Sequence, residues 1–293
     1  MSPLSAMVTP LGVVSGGSLS TPLDVMPVKA IFHVEKPVIG MLHLRALPGS
    51  PTNTLDVNAI REAALRDADA LASGGVDGLL LENFGDAPFY PKRVPPHTIA
   101  FMAVIGREIV QRVPLPLGVN VLRNDALSAL AVATAIDAAF IRVNVYTGAR
   151  LTDQGVVEGE AHRLLRYRKL LASSVKVFAD VAVKHSAALA HRDLSDEVKD
   201  TISRGHADAI IVSGSATGAE TQLEDLKVAK DAARDALVIV GSGATLAKVL
   251  AMFSYADGAI VGTAFKTGGI TDNPVDRSCV REFMEAVRRV RQA

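Results

Sequence analysis

A single cysteine, Cys279, occurs in 293 residues. That excludes an intrachain disulfide and any cysteine-based metal cluster, and it is most simply read as a reducing compartment. Charge of one sign is not in excess either. The 31 Lys and Arg residues balance 31 Asp and Glu, so no basic field suited to nucleic acid surrounds the chain. No apolar run reaches the roughly 20 residues of a membrane-crossing helix. Residues 1–27 contain neither Lys nor Arg and no sustained apolar core, so they do not read as a secretory signal. These absences together lead us to expect a cytoplasmic protein. HExxH, Walker-loop and GxSxG patterns are also missing, which removes the usual marks of zinc proteases, P-loop NTPases and serine hydrolases.

What is present is apolar and regular. Ala, Val, Leu, Ile and their kin make up 49% of the chain, enough for a large core. Residues 1–35, rich in Ser, Gly, Pro and Thr where they begin, read as a flexible N-terminal arm. From residue 36 to 293 short apolar runs alternate with segments of helical periodicity. Runs at 38–44, 78–84, 117–122, 140–145 and 175–181 read as strands, and three more follow between 209 and 266. Intervening helices are expected near 57–73, 98–112, 125–137, 158–173, 195–204 and 246–253, with a last one carrying Val280, Phe283, Met284, Val287 and Val290. Thr221 and Glu224 have the spacing of a capping box for a helix before Ala236. Eight βα alternations imply parallel pairing with right-handed crossovers. The length suits one barrel of about 250 residues with extensions. The expected fold class is therefore α/β, a single (β/α)8 TIM barrel.

The stretch 209–266 organises the chain. Its three runs, AIIVSGSATG, ALVIVGSGAT and GAIVGTAFK, are apolar and β-branched, and each breaks into Gly, Ser or Thr. Such a run suits a strand buried on both faces. The small residues at its end let a ligand reach backbone N–H groups. On the last two strands of a barrel these breaks suggest a phosphate cradle made by Gly241, Ser242, Gly243, Gly262 and Thr263.

The other strand ends carry polar groups: His43, Glu82 with Asn83, Asn120, Arg142 with Asn144, Asp180, and Ser213 with Ser215. Strand alternation lets His43, Glu82, Asn120, Asn144 and Asp180 converge on the C-terminal mouth. A buried polar group without a partner costs about 1–3 kcal/mol, so stability alone does not explain five such ends. Glu82 and Asp180 could divide acid and base work, or hold a divalent cation with Asn and His help. Lys184, just past the fifth strand, could neutralise substrate charge or act, once desolvated, as a base or imine-forming nucleophile. His185 beside it adds an imidazole. The loops 85–96, 146–159 and 185–194 are candidate lids, and 146–159 is the one expected to move.

IGMLHLRALPGSP, GLLLENFGDAPF, LGVNVLRND, IRVNVYTGA, ADVAVKHS, VSGSATG and VGTAFK together resemble the BtpA/SgcQ family. The likeness runs from about residue 37 to the C-terminus. It implies a TIM barrel of the ribulose-phosphate-binding type. One member type is associated with photosystem I biogenesis, another is encoded beside sugar metabolism genes, and no reaction comes with the family. Two functions stand at this stage. One is an enzyme acting on a small phosphorylated metabolite, sugar phosphate or nucleotide-like, by isomerase, lyase or glycosidic-bond chemistry. In it Glu82 and Asp180 do acid/base work, and Lys184, His43, Asn120 and Asn144 orient groups or stabilise charge. The other is a non-catalytic assembly factor for a membrane complex, peripherally associated. Homo-oligomerisation is expected by analogy with other barrels.

Overall fold

The computed structural model describes residues 29–214 and 221–292. The strands are β1 (Val38–His43), β2 (Gly78–Glu82), β3 (Leu117–Asn120), β4 (Phe140–Val143), β5 (Ala149–Thr152), β6 (Gly155–Glu158), β7 (Lys176–Val181), β8 (Ser186–Ala188), β9 (Ala209–Val212), β10 (Leu237–Val240) and β11 (Gly258–Val261). The α-helices are α1 (Lys29–Phe32), α2 (Val57–Gly74), α3 (Pro96–Arg112), α4 (Ala126–Ile136), α5 (Ala161–Leu170), α6 (Leu194–Ser203), α7 (Leu223–Ala233), α8 (Val249–Met252) and α9 (Arg277–Gln292). Eight strands close into a parallel barrel in the order β1-β11-β10-β9-β7-β4-β3-β2, with helices between them. This is the (β/α)8 architecture that the alternation implies.

Period-2 alternation divides the strand residues into two cores. One set packs under the helices. The other fills the barrel: Ile39, Met41, Leu80, Phe140, Phe178, Ile211, Ile239 and Ile260 are buried together there. Phe140 and Phe178 stack at 4.5 Å between centroids. Gly118 makes room for them, because a Cβ at that position would lie 2.2 Å from the Phe140 ring. Phe32, from α1, closes the N-terminal end of the barrel, edge-on to Phe140 at 5.9 Å and against Gly78.

Helix starts follow their local chemistry. Asp56 caps α2 by accepting from Ala59 N, and Asp125 caps α4 by accepting from Ser128 N. α2 ends at Gly75, whose φ of 97° is the left-handed conformation that favours glycine. One expectation needs correction. Thr221 does not cap α7; its hydroxyl donates to the Ser242 carbonyl at 2.8 Å, and the cap position is Gln222. The loop 146–159 is not irregular. Its residues form a hairpin, β5 and β6, and β8 from the loop after β7 pairs with β5 to make a three-stranded antiparallel sheet. Ordinary hairpin pairing, seeded by Gly155 at φ 90°, is the physical reason.

Candidate active site at the barrel mouth

The inward-facing set changes character at its last layer. Two residues above the apolar layer, the same faces of the strands present His43 on β1, Glu82 on β2, Asn120 on β3, Arg142 on β4 and Asp180 on β7. Beyond β9, β10 and β11 the equivalent positions are Ser213, Gly241 and Gly262. Register confirms the layer: His43 lies beside Glu82, and Glu82 beside Asn120. Glu82, Asn120, Arg142 and Asp180 are buried.

Hydrogen bonds sort these residues into two groups. The Asn120 amide donates to Glu82 Oε2 at 2.5 Å, and His43 Nε2 lies 3.8 Å from Glu82 Oε1. Asp180 accepts from Arg142 Nη2 at 3.0 Å and from the Asn144 amide at 2.8 Å. The Asp180 carboxylate is thereby engaged with a guanidinium and an amide, and it does not line the mouth cavity. The acid/base role expected for Asp180 has no contact with either mouth cavity to carry it here; the contacts seen are those to Arg142 and Asn144. Asn83 lies apart from both groups. It sits one residue past Glu82, in the opposite phase, and ties two loops together by accepting from Leu122 N at 2.7 Å and donating to Asp86 at 3.0 Å. Ser215 lies outside the described residues.

Burial sets the electrostatics. Burial first, then the charges of Lys266, Lys184 and Arg142, lowers His43 to about 3, so its imidazole is neutral near pH 7. One ring face packs on Phe84 at 4.5 Å. Burial and then Arg142 lower Lys184 below the ordinary lysine value. Burial would lower Arg142, but Asp180 and Glu82 hold it above its usual value. Burial and then Lys184 lower His185. Seven buried side-chain atoms lack a hydrogen-bond partner among the described residues, and four belong to this mouth: His43 Nδ1, Arg123 Nε, Asn144 Oδ1 and Ser213 Oγ. Buried polar groups are ordinarily satisfied, and more than half of the exceptions gather here.

Two cavities share the mouth. The first, about 270 Å³, is lined by His43, Glu82, Arg142, Lys184, the Gly241–Thr245 turn and the Gly262–Ala264 turn. The second, about 560 Å³, is lined by Glu82, Phe84, Phe89, Arg123, Asn144, Asp153, Lys184 and His185. Glu82 and Lys184 belong to both. In the first, Gly241 N donates to Val212 O at 2.7 Å, which takes that N–H away from any ligand. Gly243, at φ 70°, turns the chain so that the following N–H groups are left over. Gly243, Ala244, Gly262, Thr263 and Ala264 donate to no backbone acceptor among the described residues. Ser242 is buried and lines the same cavity, and the Thr263 hydroxyl bonds that of Thr271 at 2.9 Å.

Sequence reasoning missed Arg123 and Lys266. Arg123 is buried just past β3 and donates to the Lys184 carbonyl at 2.7 Å. Lys266, also buried, pairs with Asp67 at 2.8 Å. The signal for both was a basic residue within three to five positions of a strand end. Among the described residues no three His, Cys, Asp or Glu side chains converge as a metal-ligand set. No helix of the described residues is long and apolar enough to cross a membrane.

The barrel is similar to the native KDPGal structure (14% identity, TM-score 0.55, 88% of this chain and 97% of that one). It is also similar to N-(5′-phosphoribosyl)anthranilate isomerase of Pyrococcus furiosus (13%, 0.54, 87% and 99%) and to orotidine 5′-phosphate decarboxylase of Pyrococcus horikoshii (12%, 0.54, 86% and 99%). At such identities the likeness shows the fold alone. Sequence relatives lie nearer. Photosystem I biogenesis protein BtpA of Synechocystis is 47% identical over 256 residues, covering 87% of this chain and 89% of that protein. The sgc region protein SgcQ of Escherichia coli is 36% identical over 267 residues, covering 90% and 98%. The BtpA family model matches residues 34–289, and the chain belongs to the BtpA family.

Proposed function

We propose that this chain is an enzyme acting on a small phosphorylated metabolite, a sugar phosphate or a nucleotide-like compound, at the C-terminal mouth of the barrel. The observation that carries the reading is the last inward layer. On one side it changes from apolar side chains to Glu82, Asn120, Arg142 and His43, and on the other to glycine-rich turns in which the N–H groups of Gly243, Ala244 and Thr263 meet no backbone acceptor among the described residues. The turns after β10 and β11 supply donors to a phosphate, and the Arg142 guanidinium beneath them supplies positive charge. Glu82 moves the proton, oriented by Asn120. Neutral His43 donates or accepts a hydrogen bond without adding charge, and Lys184 stabilises negative charge at the reacting centre. The named phosphoribosyl and orotidine phosphate enzymes share this fold, with which the proposed substrate class is consistent. Isomerase, lyase and glycosidic-bond chemistry each fit this set of groups.

The test is a thermal-shift panel of phosphorylated metabolites followed by calorimetric titration of the best hit and its dephosphorylated analogue. The phosphorylated compound binds more tightly to wild type, and Gly243→Val, which places a branched side chain at a left-handed φ, removes that preference. Equal binding of both compounds to wild type overturns the phosphate site. A second reading, a non-catalytic assembly factor, is favoured by the 47% identity to a photosystem I biogenesis protein. Glu82→Gln separates the two. An enzyme loses turnover of the bound hit and keeps its binding, whereas an assembly role survives the change.

A further inference from the structure

The first cavity accounts for a phosphate and for part of a sugar. The second, twice its volume, is left without a role, and its walls differ. Two half-buried aromatic side chains, Phe84 and Phe89, line it. Arg123 and Asn144 line it as well, and each is more than nine-tenths buried. Their hydrogen-bonding capacity is not exhausted. Arg123 carries five N–H donors, yet only one bond, to the Lys184 carbonyl, is found among the described residues, and Nε is unpartnered. Asn144 donates to Asp180, and its Oδ1 accepts nothing. Arg123 and Asn144 therefore bring unused hydrogen-bonding capacity to the wall of an aromatic-lined space.

Charge narrows the occupant further. Arg123 and Lys184 contribute positive charge, and Glu82 and Asp153 oppose it. Asp153 comes from the turn of the β5–β6 hairpin, so this carboxylate sits at the roof. A second phosphate would meet two carboxylates at close quarters. A neutral planar ring with both donors and acceptors on its edge meets aromatic faces and a matched pair of polar side chains.

We propose that the second cavity is a subsite for a planar nitrogenous ring, so that the ligand is a sugar phosphate bearing such a ring, of the 5′-mononucleotide type. The inference rests on the reading that phosphate occupies the first cavity. Glu82 and Lys184, common to both cavities, then stand at the sugar, where the ring is joined.

The experiment is calorimetric titration with inorganic phosphate, ribose 5-phosphate, the four common ribonucleoside 5′-monophosphates and the matching nucleosides. At least one mononucleotide binds about tenfold or more tighter than ribose 5-phosphate, the margin that stacking on aromatic walls supplies. Phe89→Ala, at a half-exposed position, and Arg123→Gln each remove that margin, and ribose 5-phosphate binding stays within about twofold of wild type. Melting curves establish that both variants are folded. Ribose 5-phosphate binding as tightly as every mononucleotide overturns the ring subsite and leaves the phosphate site standing. A margin that survives both substitutions overturns it too. If nothing binds better than inorganic phosphate, both this inference and the reading beneath it fall.

Discussion

At the scale of single residues, the mouth is held by buried charges whose partners are few. Asp180 is the counter-charge of a guanidinium that is itself buried. Asp180→Asn leaves that guanidinium uncompensated and should cost about 3–5 kcal/mol in chemical denaturation, as broken buried pairs do. A loss within 1 kcal/mol would show that water reaches Arg142. His43 gives a pH prediction. Its value falls from an ordinary 6.5 in the unfolded chain to about 3 in the fold, so between those values the unfolded state binds more protons. Stability therefore rises with pH across that window and falls as the solution is acidified through it. For one group the slope is at most about 1.4 kcal/mol per pH unit. His43→Asn should lose less stability than wild type between pH 7 and pH 4, measured by urea unfolding at each pH. Parallel losses would mean that the imidazole is not buried neutral. Period-2 spacing made His43, Glu82, Asn120 and Asp180 legible in the sequence, because each follows an inward apolar or glycine position. It could not show that Asp180 faces Arg142 rather than the cavity, since pairing across neighbouring strands depends on register. Asn83 shows a simpler limit. It is next to Glu82 in sequence and on the other face in space.

At the scale of elements, the strands were legible and the loops were not. Apolar β-branched runs ending in Gly or Ser announce buried parallel strands wherever they occur. The small sheet of β5, β6 and β8 carries little apolar patterning and unites two loops 30 or more residues apart in the chain. No local signal specifies that contact. Helix packing supplies a separate prediction. α2 and α9 approach each other closely at Gly74, where a Cβ would stand 2.4 Å from Val280 Cγ1. Gly74→Ala gains about 0.5–1 kcal/mol of helix propensity, but overpacking a filled interface costs about 1–3 kcal/mol. The net effect is a loss, read as a lower urea midpoint at unchanged slope. The double variant Gly74→Ala with Val280→Ala recovers part of it, and a failure to recover any would place the strain elsewhere.

At the scale of the whole molecule, the barrel has two ends of opposite kind. Phe32 and the stacked pair Phe140 and Phe178 fill the N-terminal end. The C-terminal end opens beneath the β5–β6 hairpin. The protein is therefore a cup rather than a pipe, and a molecule that reaches Glu82 must depart over the rim by which it arrived. A shared route binds the two rates together. The hairpin is tied down by Arg150, which donates to Ser186 Oγ at 2.6 Å and meets Glu197 at 3.4 Å, and neither Arg150 nor Glu197 lines the two mouth cavities. Glu197→Gln should speed association and dissociation by one common factor and leave the dissociation constant within about twofold, as stopped-flow traces at several ligand concentrations would show. A change in only one of the two rates would reveal a second door.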